Sequence, residues 1–303
     1  MGGRIDGTTQ LAGLIGWPLD HTLSPAMHNA AYEALGLDWV YVPLAVRDGA
    51  ALPKVVAGLR GLPFVGFNVT MPYKRLMLNL CDEVATQARL AGAVNTVQVR
   101  DGKLIGYNTD GRGLLESLAD GAGFTPEGRR AVVVGAGGAA GAAVVALVLA
   151  RAAHVVVAGR RLEQAEDLVD RVGEHARETE LLAVELGPGL EAHVEAADLL
   201  VNATPLGMQP GDELPVPKEW LQPGQVVSDL VYRPAETGLM RAAAARGARP
   251  VGGLGMLVAQ GAISIGIWNE AGGMDAPRDI MRAAAEAGIA AADARGRWEV
   301  GSS

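Results

Sequence analysis

The segment that most constrains the fold is residues 131–143, AVVVGAGGAAGAA, where a run of valines breaks into glycines and alanines. The valines favour a β-strand, and the small residues favour a tight turn that opens a helix near Gly138. Three small residues fit the G-x-G-x-x-G/A pattern of dinucleotide sites. Gly135 allows the tight turn, Gly137 lets a pyrophosphate approach the backbone, and Ala140 lets the helix pack closely on the strand. Unpaired N–H groups at the helix start also favour a phosphate. The segment therefore predicts a dinucleotide site.

The same residues leave two other interpretations open. Residues 131–150 carry no charge, and a transmembrane helix needs about 20 such residues. Against a membrane span, four glycines stand in the first half of the segment, and a further strand, HVVVA at 154–158, follows at βαβ spacing. The second alternative is a glycine-rich turn that binds no ligand, since a single fingerprint of this kind is a weak signal.

The end of the next strand bears on the choice of nucleotide. A site for NAD carries an acidic residue about 20 residues past the glycines, where it binds the ribose hydroxyls. Here the strand ends in Ala158-Gly159-Arg160-Arg161, with two guanidinium groups and no carboxylate. Arginines suit a 2′-phosphate, so the sequence predicts NADP(H). The alternative is a solvated arginine pair, but the helix dipole disfavours cations at a helix start unless an anion lies nearby.

Composition narrows the functional class. The chain has 303 residues, of which 49% are hydrophobic, so it is not disordered and is long enough for two domains. A formal charge of -8 argues against nucleic acid or a membrane surface as partner and leaves a small-molecule substrate. The single Cys81 excludes an intrachain disulfide and a thiolate metal cluster. The N-terminal residues MGGRIDGTTQ lack a signal-peptide core, so we expect a soluble, cytoplasmic protein. A homodimer is left open.

Hydrophobic periodicity divides the chain into two blocks in which strands and helices alternate. We predict an α/β protein with two domains. The first is an N-terminal αβα substrate-binding and catalytic domain with a mostly parallel sheet, over residues 1–110 plus 249–303. The second is a Rossmann-type NADP-binding domain over residues 111–248.

The first domain is predicted to be discontinuous because of its C-terminal helices. Residues 254–271 and 277–293 are rich in Ala, Gly and Ile and have no strands of their own, so we expect them to pack back onto the first block. Within that block, Asp101-Gly102 between two apolar runs predicts a hairpin turn.

The first candidate cluster for chemistry is GWPLDHTLSPAMHN, residues 16–29. Thr22 and Ser24 lie two residues apart at a predicted strand-to-helix turn, where both hydroxyls can face one anion, such as a substrate carboxylate. Ser24 followed by proline also has the form of a helix N-cap, which is the structural alternative. We interpret His21 and His28 as structural, because no partner spacing supports a zinc site or a catalytic group.

Two further strand ends carry polar residues. Asn68 and Thr70 are expected to alternate outward at one strand terminus, and Lys74 to lie one turn into the following helix. Asp110 ends another strand at the same carboxyl edge, where it can meet Lys74, and Asn95 can join them. The alternative is that Lys74 is an ordinary solvated surface charge.

Six motifs, taken in order, resemble a known family. They are NVTMPYK, GAVNT, YNTDGRG, GAGGAA, NATPLGM and GMLVAQG, and they lie within residues 11–272. Together they are similar to the shikimate dehydrogenase family, which includes quinate/shikimate dehydrogenases. The resemblance implies reversible NADPH-dependent reduction of 3-dehydroshikimate to shikimate, a step in aromatic amino-acid biosynthesis, with NADP as the cofactor and no metal.

The resemblance also implies roles for individual residues. The pair that serves the reacting oxygen falls on Lys74 and Asp110, and the carboxylate site falls on Thr22 and Ser24. The other implied substrate contacts are Thr70, Asn95, Tyr232 and Gln260, with Asn68 nearby. The implied cofactor loop comprises Gly135, Ala136, Gly137, Gly138 and Ala139, and the segment that selects NADP contains Gly159, Arg160 and Arg161. The residues implied on the nicotinamide side are Asn202, Ala203, Thr204, Leu230 and Gly253.

Departures from the family pattern keep rival functions open. Thr22 stands where serine is usual, so a quinate or amino-shikimate dehydrogenase is one alternative. Gly159 and Arg161 stand where the family often has Asn and Thr, which bears on how strictly NADP is selected. Short-chain and methylenetetrahydrofolate-type dehydrogenases use Y-x-x-x-K, and no tyrosine here has lysine four residues later. A non-catalytic NADP-binding sensor is the alternative from another class.

Overall fold

Two six-stranded β-sheets organise the chain in the computed structural model, which describes residues 5–269 and 275–294. The strands of the first sheet are β1 (Gln10–Gly16), β2 (Trp39–Ala45), β3 (Phe64–Val69), β4 (Glu83–Val84), β5 (Thr96–Arg100) and β6 (Lys103–Tyr107). Their order is β2-β1-β3-β5-β6-β4, and only β5 runs antiparallel to both of its neighbours. Asp101 and Gly102 have positive φ between β5 and β6, which confirms the predicted hairpin turn.

The second sheet is parallel throughout. Its strands are β7 (Arg130–Val134), β8 (His154–Gly159), β9 (Glu180–Glu185), β10 (Leu199–Asn202), β11 (Val226–Asp229) and β12 (Arg249–Gly252). Their order is β12-β11-β10-β7-β8-β9, so the chain reverses direction across the sheet between β7 and β10. This is the Rossmann order, and ligands bind beyond the carboxyl ends of the strands at that switch point.

Helices connect the strands and cover both sheets. They are α1 (Ser24–Leu35), α2 (Leu52–Leu59), α3 (Thr86–Ala91), α4 (Asp110–Ala122), α5 (Gly138–Leu149), α6 (Leu162–Gly173), α7 (Glu191–Glu195), α8 (Gly238–Ala245), α9 (Gly253–Trp268) and α10 (Arg278–Asp293). Both faces of each sheet carry a buried apolar cluster, which is why the strands read as continuous hydrophobic runs. In the described part of the chain, no helix combines the length and apolarity needed to cross a bilayer.

The second sheet extends one strand further than predicted. Residues 249–252 form β12, which pairs in parallel with β11 and was not among the predicted strands. This strand is only four residues long and contains Pro250 and Gly252. Proline and glycine weaken the sequence signal of a strand, and proline is tolerated here because β12 is an edge strand.

The two C-terminal helices pack onto the first sheet, as predicted. Val258, Ile265 and Trp268 of α9 and Met281 of α10 belong to one buried cluster with residues of β1, α1 and β2. The Trp268 indole N–H donates to the Val97 carbonyl oxygen at 2.9 Å, which ties α9 to β5. The C-terminal helices therefore share a buried apolar cluster with the first sheet.

Candidate active site

Lys74 and Asp110 meet at the carboxyl edge of the first sheet. The Lys74 Nζ atom lies 2.7 Å from Asp110 Oδ2, although the residues are 36 positions apart in the chain. The lysine side chain is 20% exposed and the aspartate side chain 7%. Partial burial strengthens the charge-assisted hydrogen bond, and the remaining exposure leaves the ammonium accessible to a ligand. The predicted meeting of these two side chains is confirmed.

The expectation that Lys74 lies in an α-helix is wrong. Residues 71–75 form turns, and a short 3-10 helix begins only at Leu76. The Lys74 carbonyl oxygen accepts the Val94 N–H at 2.9 Å, so it bonds to the segment that leads into β5 instead of to a residue one helical turn ahead. Beside it, the Tyr73 phenol donates to the Val46 carbonyl oxygen at 2.7 Å. Long-range contacts thus hold the backbone around the lysine.

The Asn95 amide lies at the centre of the cluster. Its Nδ2 donates to Asp110 Oδ1 at 2.7 Å and to Thr109 Oγ1 at 2.9 Å, and its Oδ1 accepts the Thr109 N–H at 2.8 Å. Gln260 of α9 brings Oε1 within 3.4 Å of both Asn95 Nδ2 and Thr109 Oγ1. Both carboxylate oxygens of Asp110 are therefore engaged, one by Asn95 and the other by Lys74.

The two hydroxyl residues of the first motif lie where β1 turns into α1. Leu23 occupies the N-cap position, Ser24 is the first helical residue, and no side chain caps the helix. The capping interpretation of Ser24 is therefore wrong, since its hydroxyl is not used to start α1. Thr22 Oγ1 instead accepts the Ser24 N–H at 3.3 Å, which fixes the two residues relative to each other.

Thr70 and Tyr232 border this same turn. A Cβ atom on Gly16 would overlap the Thr70 side chain, so only glycine lets Thr70 approach the end of β1. Tyr232 packs against the buried cluster that contains Leu19 and Leu23, and burial raises the pKa of its phenol. Residues from both halves of the chain therefore converge here.

The expectation that Asn68 faces outward is wrong. Its side chain is 5% exposed because helices cover both faces of the first sheet. The amide nitrogen donates to Thr96 Oγ1 and Ser264 Oγ at 3.0 Å and to the Asn95 carbonyl oxygen at 3.2 Å, and the amide oxygen accepts the Tyr41 phenol at 2.9 Å. Asn68 is therefore buried, and it bonds to the Asn95 backbone and to α9.

The glycine-rich turn has the geometry that a dinucleotide requires. Gly135 has φ +121°, and a Cβ atom there would lie 2.9 Å from the Ala203 carbonyl oxygen. Gly137 is the exposed N-cap of α5, and a Cβ atom on it would meet nothing within 4 Å. The turn, which includes Ala136, Gly138 and Ala139, thus offers open backbone and a helix start, as pyrophosphate binding needs.

The first turn of helix α5 lies next to the polar cluster. A Cβ atom on Gly138 would lie 3.1 Å from Ala93 Cβ and 3.7 Å from Lys74 Cβ. On the next turn, a Cβ atom on Gly141 would overlap the carbonyl oxygen of Ala91 in α3. The start of α5 therefore lies close to Lys74, and the glycine-rich turn and the Lys74–Asp110 cluster are neighbours in the structure.

The end of β8 supplies free positive charge. Arg160 and Arg161 are exposed, and neither has an ion-pair partner among residues 5–269 and 275–294. Gly159 is buried, and a Cβ atom there would lie 2.9 Å from the Arg161 carbonyl oxygen and 3.7 Å from Ala136 Cβ. Glycine at this position is thus a packing requirement, and the residues fit a 2′-phosphorylated dinucleotide.

A buried carboxylate holds the loops after β10 and β11. Asp229 accepts the Asn202 amide at 2.9 Å and the Val231 N–H at 3.1 Å on one oxygen, and the Thr237 hydroxyl at 2.6 Å on the other. Burial raises its pKa, and these three bonds oppose that change. Asn202 also accepts the Thr204 hydroxyl at 2.6 Å. Asn202 therefore shapes the loop that carries Ala203 and Thr204 and is itself fully buried.

Leu230 and Gly253 meet at the edge of this region, where a Cβ atom on Gly253 would overlap the Leu230 carbonyl oxygen.

Sequence reasoning missed Asp229, Thr237 and Thr109 as supports of the site. Asp229 had a usable signal, since it is a polar residue at the carboxyl end of an apolar strand. In the described ranges, no group of three His, Cys, Asp or Glu is placed to hold a metal ion.

Three family models match successive parts of the chain. Residues 14–97 match the shikimate dehydrogenase substrate binding domain, residues 118–207 match shikimate / quinate 5-dehydrogenase, and residues 253–286 match the shikimate 5'-dehydrogenase C-terminal domain. The protein named Shikimate dehydrogenase (NADP(+)) from Geobacter metallireducens is 46% identical over 279 residues, which is 92% of this chain and 96% of that one. The protein of the same name from Rubrobacter xylanophilus is 48% identical over 283 residues, 93% of this chain and 97% of that one.

Solved structures of the same family are also similar to this chain. A shikimate dehydrogenase in complex with NADP+ has a TM-score of 0.86 and 38% identity, over 95% of this chain and 99% of that one. The Thermus thermophilus enzyme with NADP(H) and shikimate has a TM-score of 0.82 and 36% identity, over 92% and 100%. Quinate dehydrogenase from Corynebacterium glutamicum with NAD has a TM-score of 0.84 and 33% identity, over 92% and 99%. Because of these matches, and in agreement with the geometry of the site, this chain belongs to the shikimate dehydrogenase family.

Proposed function

We propose that this chain catalyses the reversible NADPH-dependent reduction of 3-dehydroshikimate to shikimate. The observation that carries the proposal is the Lys74–Asp110 pair close to the first turn of α5, where a Cβ atom added to Gly138 would lie 3.7 Å from Lys74 Cβ and where the glycine-rich turn ends. A proton donor next to a dinucleotide turn is what the reduction of a ketone requires.

Lys74 serves the reacting oxygen. NADPH, when bound, supplies the hydride. As negative charge grows on the ketone oxygen, Lys74 Nζ donates a hydrogen bond and then a proton to that oxygen, and in the reverse direction Nζ takes the proton back. Asp110 is bonded through both oxygens, so we assign it to hold Lys74 in place and not to transfer the proton.

Side chains from both ends of the chain recognise the cyclic acid. The Thr22 and Ser24 hydroxyls bind the carboxylate, and the ring hydroxyls bind Asn95, Gln260, Thr70 and Tyr232. Burial supports this assignment, because Ser24, Asn95 and Gln260 are 6%, 2% and 8% exposed. A substrate that left such a group unpaired would lose about 1–3 kcal/mol, which confers specificity for a polyhydroxylated ring.

The residues that would hold NADP(H) follow from the same geometry. The pyrophosphate binds the backbone of Gly135 to Ala139, and the 2′-phosphate binds Arg160 and Arg161, whose guanidinium groups are exposed. The loops that carry Ala203, Thr204 and Leu230 line the nicotinamide side, supported by the Asn202–Asp229 bond at 2.9 Å.

A quinate or amino-shikimate dehydrogenase is the second candidate. It is favoured by Thr22, which carries one methyl group more than the serine usual in the family at the expected carboxylate site, and by the likeness to a quinate dehydrogenase structure. A non-catalytic NADP sensor accounts for the glycines and arginines but not for the buried Lys74–Asp110 pair.

A substrate panel tests the proposal. Purified protein is mixed with 3-dehydroshikimate and NADPH or NADH, and the loss of cofactor absorbance is followed. Shikimate, quinate and amino-shikimate are then compared in the oxidative direction with NADP+ and with NAD+, and the gain of absorbance is followed. We expect shikimate and NADP to give the highest kcat/KM, and Lys74→Ala to lower kcat by about 10²-fold or more. Preference for quinate points to the second candidate. Cofactor binding without turnover of any acid points to the sensor.

We further propose a division into a substrate unit of residues 5–110 and 253–294 and a cofactor unit of residues 111–252, supported by the strand pairing of each sheet. We infer a cytoplasmic location from Cys81, a partly buried free thiol that can form no intrachain disulfide, because proteins of a reducing compartment are typically of this kind. Cell fractionation tests the location, and light scattering distinguishes a monomer from a homodimer.

A further inference from the structure

Thr96 lies beside the polar cluster, but neither the proposed proton transfer nor the proposed binding of the ring uses it. It is the first residue of β5, directly after Asn95, and it is 0% exposed. Its hydroxyl donates to Asn95 Oδ1 at 3.0 Å. A buried hydroxyl that bonds to a residue of the site can act on the reaction through that residue.

The direction of the Asn95 amide decides what Asp110 meets. Its Nδ2 donates to Asp110 Oδ1 at 2.7 Å. The two closest donors to its Oδ1 are the Thr109 N–H at 2.8 Å and the Thr96 hydroxyl at 3.0 Å, and the Thr109 hydroxyl lies farther away at 3.3 Å. A carbonyl oxygen has two lone pairs, so the two closest donors occupy both of them. The amide is thereby held with its nitrogen toward the carboxylate.

Asn68 and Ser264 are further partners of the Thr96 hydroxyl. The Asn68 amide nitrogen donates to Thr96 Oγ1 and to Ser264 Oγ, each at 3.0 Å, and these two oxygens lie 2.9 Å apart. Ser264 donates its own proton to the Gln260 carbonyl oxygen at 2.9 Å, one turn earlier in α9. Each hydroxyl proton thus has one acceptor, and the Thr96 proton goes to Asn95.

We propose that Thr96 is a positioning residue that keeps the Asn95 amide directed at Asp110, the carboxylate that holds Lys74. The inference rests on the proposed function, because it needs Lys74 to serve the reacting oxygen. Without the Thr96 hydroxyl, one lone pair of Asn95 Oδ1 loses its donor in a part of the protein that solvent does not reach. The amide can then rotate away from Asp110, and the carboxylate loses the bond on the oxygen that Lys74 does not use.

Two substitutions at position 96 isolate the hydroxyl. Thr96→Val keeps the branched shape and removes the oxygen, and Thr96→Ser keeps the oxygen and removes the methyl group. Thr179→Val is the matched control, since Thr179 is 8% exposed and its buried Oγ1 has no hydrogen-bond partner within the described residues. The control makes the same chemical change without breaking a bond to the site.

The experiment is the steady-state reduction of 3-dehydroshikimate by NADPH. We expect Thr96→Val to lower kcat/KM for 3-dehydroshikimate about tenfold and to leave the KM for NADPH within about twofold of the wild type. Thr96→Ser and Thr179→Val are expected to keep kcat/KM within about threefold of the wild type. Because Thr96 acts through the Asn95 amide, Thr96→Val combined with Asn95→Ala is expected to be no slower than Asn95→Ala alone.

Three results overturn the proposal: a Thr96→Val protein with wild-type kcat/KM, a Thr96→Ser protein as impaired as Thr96→Val, and losses that multiply in the double variant. If Thr96→Val does not fold, Thr96→Ala takes its place and is compared with Thr96→Ser, because those two side chains differ by the oxygen atom alone. Equal kcat/KM for that pair again contradicts the proposal. A wild-type protein that turns over no 3-dehydroshikimate refutes the proposed function itself, and the inference falls with it.

Discussion

The bond between Lys74 and Asp110 gives the sharpest prediction, through the isosteric change Asp110→Asn. Both carboxylate oxygens accept hydrogen bonds: Oδ2 from Lys74 Nζ and Oδ1 from Asn95 Nδ2, each at 2.7 Å. An asparagine amide has one acceptor and one donor end. In either orientation its NH₂ group faces a donor, so one of the two bonds is lost and replaced by a repulsive contact.

The size of the effect follows from this arrangement. Loss of a hydrogen bond to a charged group costs about 1.5–3 kcal/mol, and the donor left unpaired costs about 1–3 kcal/mol more. A combined loss of about 3–5 kcal/mol in the transition state lowers kcat by about 10²- to 10⁴-fold. The KM for NADPH is expected to stay near the wild-type value, because Asp110 is not assigned to the cofactor.

The assay is NADPH consumption with 3-dehydroshikimate, with thermal unfolding measured in parallel. Asp82→Asn is the control, since Asp82 pairs with Arg60 outside the site and is 39% exposed; it is expected to keep kcat within about twofold. Because the pair acts as a unit, Lys74→Ala and Lys74→Ala combined with Asp110→Asn are expected to show the same kcat. A folded Asp110→Asn protein with wild-type kcat, or single-mutant losses that multiply, would refute this reasoning.

Three other predictions concern the cofactor, the packing and pH. Arg160→Ala is expected to raise the KM for NADPH about 10- to 100-fold and to leave that for NADH nearly unchanged, because only NADPH carries the 2′-phosphate; equal losses contradict the assignment. Gly141→Ala is expected to destabilise the protein by about 1–3 kcal/mol in denaturant unfolding, because the new methyl group overlaps the Ala91 carbonyl oxygen. Gly173→Ala, which meets nothing within 4 Å, is the control, and equal stability of the two variants disproves the packing argument. Burial lowers the pKa of His28 from 6.5 to about 4. Between these two pH values, the imidazole is protonated in the unfolded chain and neutral in the folded chain. Stability is therefore expected to fall by roughly 3 kcal/mol as pH drops from about 6.5 to about 4, and His28→Gln should flatten this part of the profile in pH-dependent unfolding.

Local features were readable from the sequence because they depend on neighbouring residues. The valine run before Gly135 makes β7 and its turn, and Asp101-Gly102 makes the hairpin, since both depend on local backbone preferences. The alternation of strands and helices predicted the α/β fold, and the C-terminal helices without strands of their own were correctly expected to pack onto the first sheet.

Side-chain directions and distant contacts were decided only by the tertiary structure. Lys74 lies in a turn because its carbonyl oxygen bonds to Val94, and Asn68 points inward because α9 covers that face of the sheet. The 2.7 Å bond between Lys74 and Asp110 joins residues 36 positions apart, and the first turn of α5 comes close to Lys74 at Gly138. Such contacts arise from the packing of whole elements against each other, which short-range sequence patterns do not specify.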